Sequence, residues 1–470
     1  MALRLSAPLP ARTLVLVDGE HYPPVVRAAI EELRSGGRTI VGAALLGGSE
    51  KLGADVPEYG VDLVVAGLPN PVGVLLEALD RAAPDEVIDL SDEPVLDART
   101  RLLLVAHALH RGVAYRGADF SFEPPPRPRL ARKPSVAVIG TGKRTGKTAI
   151  AAAAARTLLA RGTTPVIVAM GRGGPGEPEV VDPDVVDLSP PALVALADTG
   201  RHAASDHLED ARTAGVVTIG TRRCGGGLAG APSSSTVPAG VALANERPEP
   251  FLLLEGSGAA IPPVHADATV CVVPGAADPE LVGGYLGPYA LLLSDLVVVT
   301  LVDVPPPDSS RSRERSIEAL EDRVRGVAPG IPILRTILRP YPLASIAQRT
   351  VFFATTAPEP VASRGAAHLG SRHHAHVVGW TTHLADRSRL RKELDEADAA
   401  EVLVTELKAA AVDVATRVAL ERGMEVVFCD NRPEPADPGA DDEFAAALSA
   451  VADLAVERFE MPTPEPLTTT

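Results

Sequence analysis

The stretch GTGKRTGKT, Gly140 to Thr148, constrains this chain more than any other. A glycine-punctuated loop ending in Gly-Lys-Thr stands between the apolar run Val136 to Ile139 and the alanine-rich stretch Ala149 to Leu159. The run reads as a buried parallel strand and the alanine-rich stretch as a helix, so the loop amides face whatever anion sits at that helix's N-terminus. In the common form of such a phosphate loop a Gly stands five residues before the Gly of Gly-Lys-Thr; here that position is Thr141, with glycines at Gly140 and Gly142 instead. The working groups are still in place. Gly142 and Gly146 let the backbone wrap a phosphate beside Lys143 and Thr145, Lys147 reaches β/γ oxygens, and the Thr148 hydroxyl can ligate Mg²⁺. Only six of the 45 basic residues are Lys, yet two of them, Lys143 and Lys147, stand in this loop. A chain that otherwise chooses Arg keeps Lys where a compact point charge is wanted.

A chain of 470 residues is expected to split into two or three domains. Residues 1–121 alternate short apolar runs with helical stretches and predict a small α/β, Rossmann-like domain with a parallel sheet. A Pro- and Arg-rich linker follows over 122–134, then a P-loop nucleotide-binding catalytic domain over 135–460 with a doubly wound, mostly parallel sheet, and a disordered tail over 461–470. Strands of the large domain are expected at Pro165–Met170, Val216–Ile219, Phe251–Leu254, Ala268–Val273, Leu296–Leu301, Val402–Thr405 and Val426–Cys429. The longest apolar stretch, Tyr289–Val302, is interrupted by Ser294 and Asp295, so no membrane role is expected. The N-terminus lacks a leader-like apolar core, and a cytoplasmic protein is expected. Three scattered Cys argue against a disulfide framework or a CxxC metal site, and a net charge of −16 disfavours nucleic acid. An anionic substrate would need local clusters of Arg and Lys.

Four further clusters follow apolar runs, at the strand ends where open α/β sheets bind ligands. LLLEGSG places Glu255 where a carboxylate can hold Mg²⁺ beside the phosphate loop, although a strand-end acid in water would look the same. TIGTRRCGGG brings Arg222 and Arg223 next to three glycines, suited to gripping phosphate or carboxylate oxygens, or to a plain surface loop. MGRGGPGEPEVVDPD offers Arg172 as an anion clamp and Glu177 or Asp182 as a second acid for a metal. VTELKAAAVDVA and VVFCDNRP add Glu406, Lys408, Asp430 and Asn431. In the N-terminal block, VDGEHYPP sets Asp18, Glu20 and His21 straight after the first strand. Five His between His368 and His383 invite a metal, but no spacing there puts three ligands on one helical face.

In order along the chain, LVDGEHYPPV, GTGKRTGKT, TRRCGGGLAG, LLEGSGAAIPPV, VTELKAAAVDVA and FCDNRP resemble the cyclic 2,3-diphosphoglycerate synthetases, from about Leu14 to Pro433. GTGKRTGKT with LLEGSGAA is also similar to the dethiobiotin synthetase group of P-loop ligases, although that type carries acidic residues where Lys143 and Arg144 stand. The resemblance implies an ATP- and Mg²⁺-dependent ligation that closes 2,3-diphosphoglycerate into an intramolecular phosphoanhydride, with ADP and phosphate released. It assigns Lys147, Lys143, Arg144 and Glu255 to catalysis, and Thr148 and Glu255 to the metal. Gly142, Lys143, Thr145, Gly146, Lys147, Thr148 and Asn431 would hold the nucleotide; Arg222, Arg223, Arg172, Lys408, Asp18, Glu20 and His21 would hold the acceptor. A homodimer is the expected assembly. Two other readings stay open: a P-loop ligase or kinase for a different small anionic acid, and a nucleotide-dependent switch ATPase with no acceptor.

Overall fold

The computed structural model describes residues 11–48, 58–304, 312–397, 400–408, 411–437 and 439–461. The chain forms two compact units, one of Met1–Pro125 with Asp278–Leu293 and Gly326–Ala328, the other of the remaining residues. The expected tail over 461–470 lies outside the described residues except for Met461.

The first unit is a six-stranded sheet of β1 (Arg12–Val17), β2 (Thr39–Leu45), β3 (Val64–Val65), β4 (Glu86–Asp89), β5 (Ala114–Arg116) and β6 (Ser121–Phe122), in the order β3-β2-β1-β4-β5-β6. All neighbours are parallel except β6, which runs antiparallel to β5. Helices Pro23–Ser35 and Pro71–Ala82 open on Pro, whose fixed φ and missing N–H suit a first turn. Asn70 caps the second by accepting from Gly73 N at 2.8 Å. Val15, Val17, Ile30, Ala43 and Tyr59 form the core on one face of the sheet.

The second unit carries β7 (Ser135–Gly140), β8 (Pro165–Gly171), β9 (Glu179–Val181), β10 (Thr218–Cys224), β11 (Ser234–Ser235), β12 (Phe251–Glu255), β13 (Ala268–Pro274), β14 (Leu296–Thr300), β15 (Ile333–Pro342), β16 (Thr350–Ala354), β17 (His376–Thr381), β18 (Val402–Glu406) and β19 (Glu425–Pro435). They form one 13-stranded sheet, ordered β11-β10-β8-β12-β7-β13-β14-β15-β19-β18-β16-β17, with β9 on β10. From β10 to β15 every neighbour is parallel; β15 and β19 then pair antiparallel, and a second parallel wing runs from β19 to β17. The α/β, doubly wound, mostly parallel architecture expected from the sequence is thus present, and β7 lies in the middle of its first wing.

The helix Lys147–Ala160 packs on this first wing through small residues: Ala149 to Ala155 and Leu158 are all buried. Small side chains bring its axis close to Val136, Val138, Ile167 and Val270 of the sheet, and the C-terminal helix Asp441–Glu460 closes the same core with Leu448, Val451 and Ala455. The phosphate loop therefore hangs from a rigid strand–helix pair.

Several expectations shift. The strand expected at Val216–Ile219 runs instead from Thr218 to Cys224, so Arg222 and Arg223 are strand residues rather than loop residues, and the pleat sends them to opposite faces. The strand expected to reach Leu301 stops at Thr300, because Leu301 turns into the left-handed region at φ 56°. Strands β15, β16 and β17 carry no expectation in the sequence; β15 alternates Arg and Pro with apolar residues and resembles a loop until its ion pairs and antiparallel partner are seen.

Candidate active site

Gly146 opens the helix Lys147–Ala160 in the left-handed region at φ 91°, a conformation that glycine adopts without steric cost. A side chain at Gly140 would stand 2.9 Å from Thr145 Oγ1 and 3.0 Å from Val272 O, so the loop can fold back only on a bare backbone. Thr300 Oγ1, at the end of β14, donates to Thr145 O at 2.6 Å and fastens the loop to the neighbouring strand. Lys147 is buried and donates to Gly142 O at 2.7 Å and Thr145 Oγ1 at 3.3 Å, curling over its own loop as a phosphate-facing lysine does. Burial lowers its pKa, and the carboxylates of Glu255 and Asp206 oppose that shift. Lys143 and Arg144 stand exposed at the tip, Arg144 in the left-handed region at φ 57°.

Glu255 ends β12 beside β7. Thr148 Oγ1 donates to its Oε1 at 2.7 Å, while its Oε2 is buried with no donor. Facing it is Asp210, fully buried, whose oxygens meet no donor from any other residue and reach only the Glu255 carboxyl itself. Burial pushes both carboxyls up, and the charge of Glu255 adds to the shift of Asp210. Two buried carboxylates pressed together without a donor hold either a shared proton or a cation between them. The oxygens of Asp210, Glu255 and Thr148 form a hard, all-oxygen donor set, which fits Mg²⁺. This second acid was missed in the sequence, where Glu177 and Asp182 were the candidates; Asp182 lies instead 3.9 Å from Arg247. The signal was there in DHLED: Asp206, Glu209 and Asp210 fall at i, i+3 and i+4 of a helix, Asp206–Ala214, and so share one face.

Beside this acid pair lie two neighbouring guanidiniums. Gly258 follows β12 at φ +62°, and a Cβ there would stand 2.8 Å from Arg172 Nη2 and 3.1 Å from Arg223 Nη2, so both guanidiniums crowd one glycine. Arg223 is buried, donates to Gly225 O at 2.5 Å and Ser257 O at 2.8 Å, and leaves Nε without a partner. Neither Arg has a carboxylate partner in an ion pair among the described residues. Burial lowers the pKa of Arg223, Arg172 lowers it further, and the Asp206 carboxylate opposes both. Two neighbouring guanidiniums with no carboxylate in direct contact are suited to an anion. Arg222 points the other way, exposed, with Nη1 3.5 Å from where a Cβ on Gly176 would be.

The remaining candidates are placed elsewhere. Lys408 Nζ contacts both Glu209 oxygens, at 2.5 and 2.6 Å, which commits its charge to a protein carboxylate; burial drives the Glu209 carboxyl up to about 7 against the pull of Lys408. Asn431 lies on β19 opposite Pro340, next to Asp430, whose carboxylate accepts from Arg156 of the phosphate-loop helix at 2.8 Å. In the first unit, Asp18 is fully buried at the end of β1 and accepts from Glu20 N, His21 N, His21 Nδ1 and Asp92 N at 2.7–3.2 Å. It holds two loops at the point where the strand order reverses between β1 and β4. Of the clustered His, His368 and His373 pack against Tyr341, with ring centroids 5.3 and 5.1 Å from it.

Three family models match the chain: the cyclic 2,3-diphosphoglycerate synthetase N-terminal domain over residues 12–123, its P-loop domain over 135–337 and its C-terminal domain over 342–432. The chain is 44% identical over 423 residues to a cyclic 2,3-diphosphoglycerate synthetase of Rubrobacter xylanophilus, covering 90% of this chain and 94% of that one. It is 42% identical over 460 residues to that of Methanothermobacter thermautotrophicus, covering 95% and 97%. The synthetase of Methanothermus fervidus shares 40% identity over 460 residues, covering 96% and 98%. Among the described residues no helix is long and apolar enough to cross a membrane.

Proposed function

The chain belongs to the cyclic 2,3-diphosphoglycerate synthetase family, and from that premise we propose that it closes 2,3-diphosphoglycerate into its cyclic phosphoanhydride at the expense of ATP. One observation carries the reading at the level of residues: Arg172 and Arg223, with no carboxylate partner, stand over the glycine three residues beyond Glu255, whose carboxylate bonds to the phosphate-loop Thr148. A nucleotide cradle and an anion receptor thus share the end of β12.

In this reading Lys147 and the loop amides grip the β and γ phosphates, and Lys143 and Arg144 at the tip neutralise the transferring group. Thr148, Glu255 and Asp210 would hold Mg²⁺, which would supply charge neutralisation to the phosphates. Arg172 and Arg223 hold the acceptor. An oxygen of one acceptor phosphate takes the γ-phosphoryl group, the bond to the β-bridging oxygen breaks, and ADP leaves. An oxygen of the second acceptor phosphate then attacks the inner phosphorus of the resulting pyrophosphoryl group, forming the ring anhydride and expelling the outer phosphoryl as phosphate. Neither step needs a protein nucleophile; positioning and neutralisation of repelling oxygens supply the catalysis. Arg222, exposed on the opposite face of β10, is a secondary contact, and Lys408 acts through Glu209 rather than on the acceptor.

The test is ADP release with and without acceptor. Turnover that requires 2,3-diphosphoglycerate supports the ligase; equal ATP hydrolysis in its absence identifies a switch ATPase instead.

A further inference from the structure

The far edge of the larger sheet carries a second pocket that the phosphate chemistry does not use. Strand β17 ends in Gly379-Trp380-Thr381, the turn Thr382-His383 leads toward helix Arg387–Glu396, and these residues with Glu359 and Glu393 line a wide-open surface cavity of ≈ 360 Å³. It opens at a strand's carboxyl end, where loops are free to shape a ligand site. Trp380, the chain's single Trp, stays 38% exposed there and donates from Nε1 to Glu359 Oε1 at 3.0 Å. Glu393 accepts from Thr381 Oγ1 and, at 2.9 Å, from His383 Nδ1, which fixes both carboxylate and imidazole.

The charge balance of this cavity is opposite to that of the phosphate site. It is lined by two carboxylates and no Lys or Arg. Glu359 has no Lys or Arg partner among the described residues; Glu393 faces His383 at 2.9 Å, an ion pair only when the imidazole is protonated, and Arg389, 3.7 Å away with its side chain 61% exposed. Phosphates and carboxylates are repelled from such a wall. An indole with one carboxylate at its Nε1 edge and a second lining the same cavity instead attracts a weakly hydrated cation, through the ring quadrupole and direct ion pairing together.

We propose that this cavity is a binding site for a small organic ammonium ion, seated against the Trp380 ring between Glu359 and Glu393. Nothing in it depends on the ligase reading. Because the chain has one Trp, its intrinsic indole fluorescence reports on this pocket alone. Full-length protein titrated with tetramethylammonium chloride and with putrescine at fixed ionic strength is expected to show a saturable change in Trp380 emission that sodium chloride does not produce. Glu359→Gln with Glu393→Gln should abolish it. If circular dichroism shows that double variant unfolded, Glu359→Gln alone, at an exposed position, should weaken binding by about tenfold, the loss of one charged contact. The proposal is overturned by no saturable change with either ammonium, by an equal change with sodium, by undiminished binding in the folded variants, or by a response to adenosine where neither ammonium gives one.

Discussion

Single side chains decide whether the phosphate site works. Lys147 spends its ammonium on loop oxygens rather than on a carboxylate, so Lys147→Ala should abolish turnover while leaving the melting temperature within a few degrees of wild type. Turnover near wild type would remove the loop from the mechanism. Asp210 offers a sharper test, because its two effects have opposite signs. Removing one of two facing buried carboxylates relieves repulsion, so Asp210→Asn should raise the melting temperature in EDTA and reduce the stabilisation given by Mg²⁺ with ATP. Turnover should fall about 10²-fold, or ~3 kcal/mol of transition-state stabilisation. A variant that melts lower in EDTA and keeps its full Mg²⁺ response would make Asp210 a packing residue. The pleat of β10 makes a third prediction: Arg223→Ala should raise the half-saturating acceptor concentration strongly with ATP affinity little changed, whereas Arg222→Ala should do far less. Calorimetry with each ligand in turn separates the two, and equal effects would mean that the strand does not sort these guanidiniums.

At the level of elements, the alanine-rich helix is what holds the loop against the sheet. Ala152 is fully buried between helix and strands, so Ala152→Leu should destabilise by about 1–3 kcal/mol through overpacking, read as a lower melting temperature. A neutral result would show a looser core than this packing implies. The strand and helix around Gly140 to Thr148 were legible in the sequence because a continuous apolar run, special glycines and a helix former all agree there. The same holds for Glu255, which ends an unbroken apolar strand. Strand β15 was not legible, since its Arg335 and Arg339 become tolerable only through Glu321, Glu314 and Asp303, partners distant in sequence. Asp210 was hidden for a related reason: DHLED looks like an ordinary solvated helix face, and only the fold turns that face inward against Glu255. Arg222 and Arg223 looked equivalent because a strand running through Cys224 was not expected, and pleat alternation is what tells them apart.

For the whole molecule, the net charge of −16 works against any anionic substrate, so in the proposed reading binding would rest on the local concentration of Arg172, Arg223 and the loop Lys. Acceptor affinity should therefore fall steadily with added salt, more steeply than that of a neutral ligand. The larger unit presents two parallel wings joined by one antiparallel pair, with the phosphate loop in the first wing and the Trp380 cavity at the edge of the second. The most direct measurement of the proposed chemistry is ³¹P NMR of the protein with ATP, Mg²⁺ and 2,3-diphosphoglycerate. The prediction is that the two monoester resonances of the acceptor disappear together as a coupled pair of anhydride resonances grows, in step with ADP and free phosphate. ADP and phosphate accumulating while both monoester resonances persist would contradict it.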